Sequence, residues 1–449
     1  MTPPAIGNSQ EIRTALCVFL ILLVPLAGAG LSLINTGLGR SRSAAHAMLT
    51  SLCVVAAAAG AYFVCGFAWQ GFIGGPAHSF TVGGKTWSWL AAEPLFLRGH
   101  DWGGSSASLA ACLGVFSVGL TALIPLGSGS DRWRLGAACA SSALLAGVTF
   151  PLFAHWVWGG GWLAQLGVNY GLGHGFLDAG GAGTIQTVGG LTALSIVWIL
   201  GPRHGKYLTE GMPAVIPGHN AIYVSLGCLL ALVGWTGLNC AGAILFTGAA
   251  PARLPLVLIN TLLGAGSAGL AAAATTRWRF GRPDVSIAAN GWVGGLVAAS
   301  ASAPFVAPAA AVVIGLFAGV LVALTVEWLE LHLSIDDPGG SISVHALAGI
   351  WGLLALGIFA QIPGPVANVS LAPALPAPGD SGQFLAQLVG VATLLGFVLP
   401  LTFGLNWLLN KLLPQRVPVE GERQGLDLYE LGSSAYPEFV THTDEFTQQ

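Results

Sequence analysis

Charge is what this sequence has least of. Lys, Arg, Asp and Glu together make 8% of its 449 residues, where soluble domains carry roughly 25%. Sixteen basic and nineteen acidic side chains cannot cover the surface of a soluble fold of this length. Disorder is excluded by the same shortage, since disordered chains are polar and charge-rich. The net charge of −3 gives no hint of nucleic-acid binding. Alternation is missing too: the apolar stretches are continuous, which argues against a transmembrane β-barrel. The cysteines Cys17, Cys53, Cys65, Cys112, Cys139, Cys228 and Cys240 sit mostly inside apolar runs without metal-type spacing. They read as small apolar side chains, and neither metal nor cofactor is expected. What is abundant is apolar surface, at 54%, and glycine, with 65 residues. The composition therefore predicts an all-α polytopic membrane protein.

A bilayer core takes about 20 apolar residues per helix. Eleven such segments are predicted: 14–37, 46–70, 107–126, 135–157, 181–201, 219–241, 254–275, 285–303, 307–329, 341–361 and 385–410. The first is too long and its flank too weakly basic for a signal peptide, so it reads as a retained helix. Basic residues sort by side. Arg40, Arg42, Arg132, Arg134, Arg203, Lys206, Arg277, Arg279, Arg282, Lys411, Arg416 and Arg423 fall on one side; Arg13, Lys85, Arg98 and Arg253 fall on the other. That bias predicts a cytoplasmic carboxyl terminus and an external amino terminus. Residues 1–410 form the predicted membrane domain. Residues 411–449 form a polar cytoplasmic tail, ending past Asp444 and Glu445, that is too short for a catalytic domain, and no enzyme is expected. The glycine- and tryptophan-rich stretch 71–106 is expected to pack over the outer mouth.

Two segments repeat at an offset of 159 residues. Asp178-Ala-Gly-Gly-Ala-Gly-Thr-Ile-Gln186 matches Asp337-Pro-Gly-Gly-Ser-Ile-Ser-Val-His345, with a further glycine at Gly190 and Gly349. The first opens span 5 and the second opens span 10, so the copies enter from opposite faces. This is the pattern of inverted-repeat transporters, whose sites lie at the midplane. Eight residues of helix cover about 12 Å, against about 15 Å for half the hydrocarbon core. Gln186 and His345 are therefore expected to meet near the centre, with each Asp capping a helix start. An ionisable residue within a span is costly and usually functional, which singles out His345. The other nine histidines read as peripheral, with His155 and His219 at helix ends.

Several stretches together resemble the ammonium transporter family, which includes the Rh proteins. They are HWVWGGGWLAQLG with FLDAGG, IPGHNAIYVSLGCLLALVGWTGLNCAGA, IAANGWVGGLVA, IDDPGGSISVHALAGIWGLLALGIFA and, in the tail, GLDLYELGSSAYPEF. The resemblance implies eleven helices, built as an inverted 5+5 repeat plus a long last helix, and a homotrimer with one pore per subunit. It implies recruitment of ammonium at Trp158 and Asp178, through the π face of the aromatic. It also implies a pore lined by Trp235 and His345. Five positions depart from the family pattern. The partner histidine is Gln186, the two gating phenylalanines are Leu113 and Leu238, the recruiting serine is Gly242, and an aromatic beside it is Leu109.

These departures have physical content. An amide hydrogen-bonds in both senses but does not pass a titrating proton as imidazole does. A leucine gate stays apolar without cation–π attraction. The leading expectation is an ammonium/ammonia transporter with weakened proton relay. The alternative is an ammonium-binding membrane sensor that conducts poorly. In the family the tail and basic loops dock PII-type regulators, and the same partner is expected here.

Overall fold

The computed structural model describes residues 6–207, 212–362 and 381–437. The end of the predicted tail, with Asp444 and Glu445, lies outside the described residues. Among the described residues, ten helices are long and apolar enough to cross a membrane. They are α1 (Glu11–Leu38), α2 (Ser41–Gln70), α3 (Ser106–Gly129), α4 (Leu135–Val157), α5 (Ala182–Leu200), α6 (Ala221–Thr247), α7 (Pro251–Phe280), α9 (Pro308–Leu333), α10 (Ile342–Phe359) and α11 (Gly382–Leu412). The shorter apolar helix α8 (Val285–Ser300) lies between α7 and α9.

The predicted eighth span ran to 303, but its helix stops at Ser300 and continues as a buried turn. Irregular backbone at this depth is tolerated only where its polar groups are satisfied by protein. Asn260 on α7 does so, donating through Nδ2 to the Ala303 carbonyl at 2.9 Å and the Val306 carbonyl at 2.8 Å.

Small residues set the crossings. On α1 and α6, a Cβ built at Gly30 would lie 2.5 Å from the Gly227 carbonyl oxygen, and one at Gly227 would lie 2.6 Å from the Gly30 oxygen. Helix association in a membrane relies on such close approach. Two spans carry a proline just after a π-helical turn: Pro151 follows Leu145–Thr149 in α4, and Pro400 follows Leu394–Val398 in α11. Proline lacks the donor a regular turn needs, and the wider turn absorbs the break.

Segment 71–106 folds into an antiparallel hairpin, β1 (Ala77–Val82) and β2 (Lys85–Ala91). Its turn, Gly83–Gly84, has both φ values positive, at 59° and 76°, the conformation that favours glycine in two-residue hairpins. The hairpin packs on the end of α4. Trp156 donates through Nε1 to the Trp89 carbonyl at 2.8 Å. His155 is buried, with Nε2 3.0 Å from Ser88 Oγ and Nδ1 2.8 Å from the Gln70 carbonyl.

The start of α1 lies on this hairpin face, where Thr14 donates to the Gly104 carbonyl. The tail lies on the opposite face, as α12 (Val419–Gln424) and α13 (Leu426–Leu431). There His46 meets Glu430 at 2.7 Å and His219 meets Tyr436 at 3.0 Å. Both histidines are thus tail anchors, not merely peripheral groups.

Candidate functional site

Each copy of the repeat begins with an aspartate, buried at Asp178 and half-buried at Asp337, whose carboxylate serves the first N–H groups of a helix. Asp178 accepts from the backbone N–H of Gly181, Gly183 and Thr184 at 3.0, 2.9 and 2.8 Å, and from the Thr184 hydroxyl at 2.9 Å. Asp337 accepts from the Ile342 N–H at 2.8 Å and from the Ser128 hydroxyl at 2.7 Å. The third residue after each aspartate is left-handed: Gly181 has φ 86° and Gly340 has φ 67°. Glycine adopts that conformation without a Cβ penalty. Both helices then open with a π-helical turn, Ala182–Thr187 in α5 and Ile342–Leu347 in α10. Such turns are frequent at functional sites, and these two contain Gln186 and His345.

The two side chains meet. His345 Nδ1 lies 2.8 Å from Gln186 Oε1, with Gln186 0% and His345 4% exposed. An amide oxygen only accepts, so Nδ1 carries the proton and neutral His345 keeps its lone pair on Nε2. Gln186 Nε2 is a buried donor with no partner among the described residues. The glycine twelve residues past each aspartate makes the approach possible. A Cβ at Gly190 would sit 2.3 Å from the Ala346 nitrogen, and one at Gly349 would sit 2.4 Å from Thr187 Oγ1.

Toward the hairpin face, Trp158 donates through Nε1 to the Asp178 carbonyl at 2.7 Å. This ties the end of α4 to the loop that opens α5. Phe246 on α6 stacks on the Trp158 ring, with centroids 4.2 Å apart and planes within 5°. By resemblance, the aromatic expected beside Gly242 stands as Leu109. The structure supplies one from another helix: Leu109 is buried on α3, and Phe246 covers the indole. Phe246 lies four residues past Gly242, one turn along the same face, and that spacing was the available signal.

Gly242 packs against the same loop, where a Cβ would lie 2.1 Å from the Ala179 carbonyl oxygen. Leu113 on α3 and Leu238 on α6 are both fully buried in the main apolar core. Trp235, one turn before Leu238, donates to Ser300 Oγ on α8 at 3.2 Å. These side chains are buried and mostly apolar. Polar groups converge around Trp158 and Asp178, and at the Gln186–His345 pair.

Known proteins resemble this chain in sequence and in fold. The family model for the Ammonium Transporter Family matches residues 15–436. The ammonium transporter Amt2 of Archaeoglobus fulgidus is 36% identical over 434 residues, spanning 95% of this chain and 87% of the relative. The ammonium transporter of Bacillus subtilis is 31% identical over 429 residues, spanning 94% and 98%. Among solved structures, a Sensor Amt Protein superposes with a TM-score of 0.82 at 26% identity, over 95% of this chain and 100% of that one. Mep2 of Candida albicans has the same fold, with a TM-score of 0.77 at 23% identity, over 95% and 90%. By sequence and by fold, the chain belongs to the ammonium transporter family.

Proposed function

We propose that this protein carries ammonium/ammonia across the cell membrane, and that ammonia crosses its midpoint in the neutral form. The observation that carries this reading is the hydrogen bond between Gln186 and His345, where the two half-repeats cross. Gln186 offers an N–H donor, and His345 offers the Nε2 lone pair. Ammonia has both a lone pair and N–H groups, so it satisfies both partners at once. Ammonium has no lone pair to accept from the amide, and its charge is costly to bury among apolar side chains. Recruitment falls to Trp158, Asp178 and Gly242. Leu113 and Leu238 form the apolar gate, and Trp235 lines the path beyond it. Because an amide does not relay a proton near neutral pH, transport is less electrogenic than in relatives with two histidines.

In this reading residues 1–410 are the membrane domain and 411–449 the tail. The amino terminus faces outward, and the tail with its basic loops faces the cytoplasm. The assembly is a homotrimer with one path per subunit. A PII-type regulator docks on the tail face, and a pull-down with purified PII protein tests that contact.

The deciding experiment measures radiolabelled methylammonium uptake and electrical current in proteoliposomes, for the parent and Gln186→His. Uptake without matching current in the parent, and a gain of current in the variant, are expected. A large parent current that survives every Gln186 substitution would overturn the neutral reading. Binding without uptake in either protein would favour the sensor reading, which the likeness to the Sensor Amt Protein makes the specific alternative.

A further inference from the structure

The loop that presents Asp178 is held from outside the inverted repeat. Helix α11 carries Gln383, Gln387 and Gly390 at i, i+4 and i+7, one face of a helix. Gln387 forms a two-way pair with the backbone of the residue before Asp178: its Oε1 accepts from the Leu177 N–H at 2.9 Å, and its Nε2 donates to the Leu177 carbonyl at 2.9 Å. The same Nε2 lies 3.3 Å from the Leu353 carbonyl on α10. Gln383 accepts from the His174 N–H at 2.9 Å, and it donates to the Gly175 carbonyl at 3.0 Å and to Gln387 Oε1 at 3.2 Å. Every donor and acceptor of both amides points at this loop, at Leu353 or at the other glutamine. At Gly390 a Cβ would collide with the Phe176 ring, which fills that step of the face.

Two amides buried in an apolar span are costly unless saturated, and most of the partners here belong to this one loop. We infer that Gln383 and Gln387 are positioning residues for ammonium recruitment. They fix the backbone of 174–177 so that the Asp178 carbonyl meets Trp158 while its carboxylate caps α5. The inference rests on the transport reading for its site, but it concerns a helix to which that reading gives no role. Gln387 also joins the loop of the first half-repeat to α10 of the second. Span 11 is therefore a brace across the two-fold design, not an appended helix.

The test compares the full-length parent with Gln387→Met, Gln387→Glu and Gln383→Met. Methylammonium uptake gives KM and Vmax, and calorimetric titration with ammonium chloride gives Kd. Gln387→Met is expected to raise KM and Kd about tenfold with Vmax within about twofold, the signature of lost binding rather than lost conduction. Gln383→Met is expected to shift both less, because it does not touch the neighbour of Asp178. In Gln387→Glu an ionised carboxylate repels the Leu177 carbonyl, whereas a protonated one restores one donor and one acceptor. Its KM is therefore expected to recover toward the parent value as pH falls, relative to the parent at the same pH. A purely structural loss shows no such recovery. Parent-like KM and Kd in both Gln387 variants would overturn the inference, as would a pH-independent defect in Gln387→Glu. Should the parent bind ammonium without taking up methylammonium, the transport reading fails and the shift in Kd alone decides this one.

Discussion

Gly242 separates two readings of one residue. Family resemblance makes it a lost serine, whose return strengthens recruitment. Packing makes it a necessary gap, since a Cβ there lies 2.1 Å from the Ala179 carbonyl oxygen, which is backbone. Overfilling a close-packed contact costs about 1–3 kcal/mol. Gly242→Ser is therefore expected to lower the melting temperature in detergent and to raise the KM for methylammonium. A KM below the parent's at unchanged melting temperature would restore the lost-serine reading. At this scale the sequence told much but not all. Asp178, Gln186, Asp337 and His345 were legible because helix rise and a local repeat place them without tertiary information. Phe246 was not, because its stack on Trp158 depends on how α4 and α6 pack. Gln383 and Gln387 left a signal, two glutamines on one face of an apolar span, but not the identity of the loop they hold.

Among elements, the repeat is bolted as well as packed. On the tail face Arg203, just past α5, grips Asp336, just before the start of α10. Its Nε and Nη2 donate to Asp336 Oδ2 and Oδ1, each at 2.9 Å. Arg132 donates through Nη2 to the Asp336 carbonyl at 2.8 Å, and Asp131 accepts from Arg203 at 3.2 Å. Burial pushes the Asp336 carboxyl up, but Arg203 and Arg132 outweigh it and hold it at about 2, against an ordinary 3.8. Burial also pulls Arg132 down to about 10, so its guanidinium is still charged at neutral pH. A depressed carboxylate adds stability that is complete above its unfolded pKa and disappears as pH falls from 3.8 toward 2. The contribution is about 2 kcal/mol at neutral pH. Arg203→Gln is expected to destabilise by roughly 3 kcal/mol, because it removes the main partner of a buried charge and leaves only the longer ion contact to Arg132. The deficit relative to the parent narrows in that acid window. Thermal melts across pH read both, and a deficit independent of pH would exclude the pair as its source. Sequence charge bias put these arginines on one face, but the pairing needed the loops in three dimensions.

Across the whole molecule, the tail completes helices it does not belong to. The first N–H groups of a helix lack intrahelical partners, and tail carboxylates supply them. Asp427 accepts from the backbone N–H of His46 at 2.8 Å and of Ala45 at 3.2 Å, near the start of α2. Glu430 accepts from the Leu135 N–H at 3.0 Å, at the start of α4, and also meets His46. Asp427 closes the tail on itself as well, accepting from the Ala435 N–H at 3.2 Å. By sequence these acids are simply part of a polar tail. Their spacing, Asp427 and Glu430 on one short helix, carries no hint that each caps a different span. Losing one helix cap costs about 0.5–2 kcal/mol, small beside the apolar core of the bundle. Asp427→Ala is therefore expected to leave the bundle folded while loosening the tail. Trypsin cleavage after Arg423 accelerates, and cleavage in the control Glu420→Ala, at an exposed acid in the same tail, stays at the parent's rate. Equal cleavage rates in parent and Asp427→Ala would mean that the tail is held by its apolar contacts, with Leu426 buried in the bundle, and that its carboxylates add little.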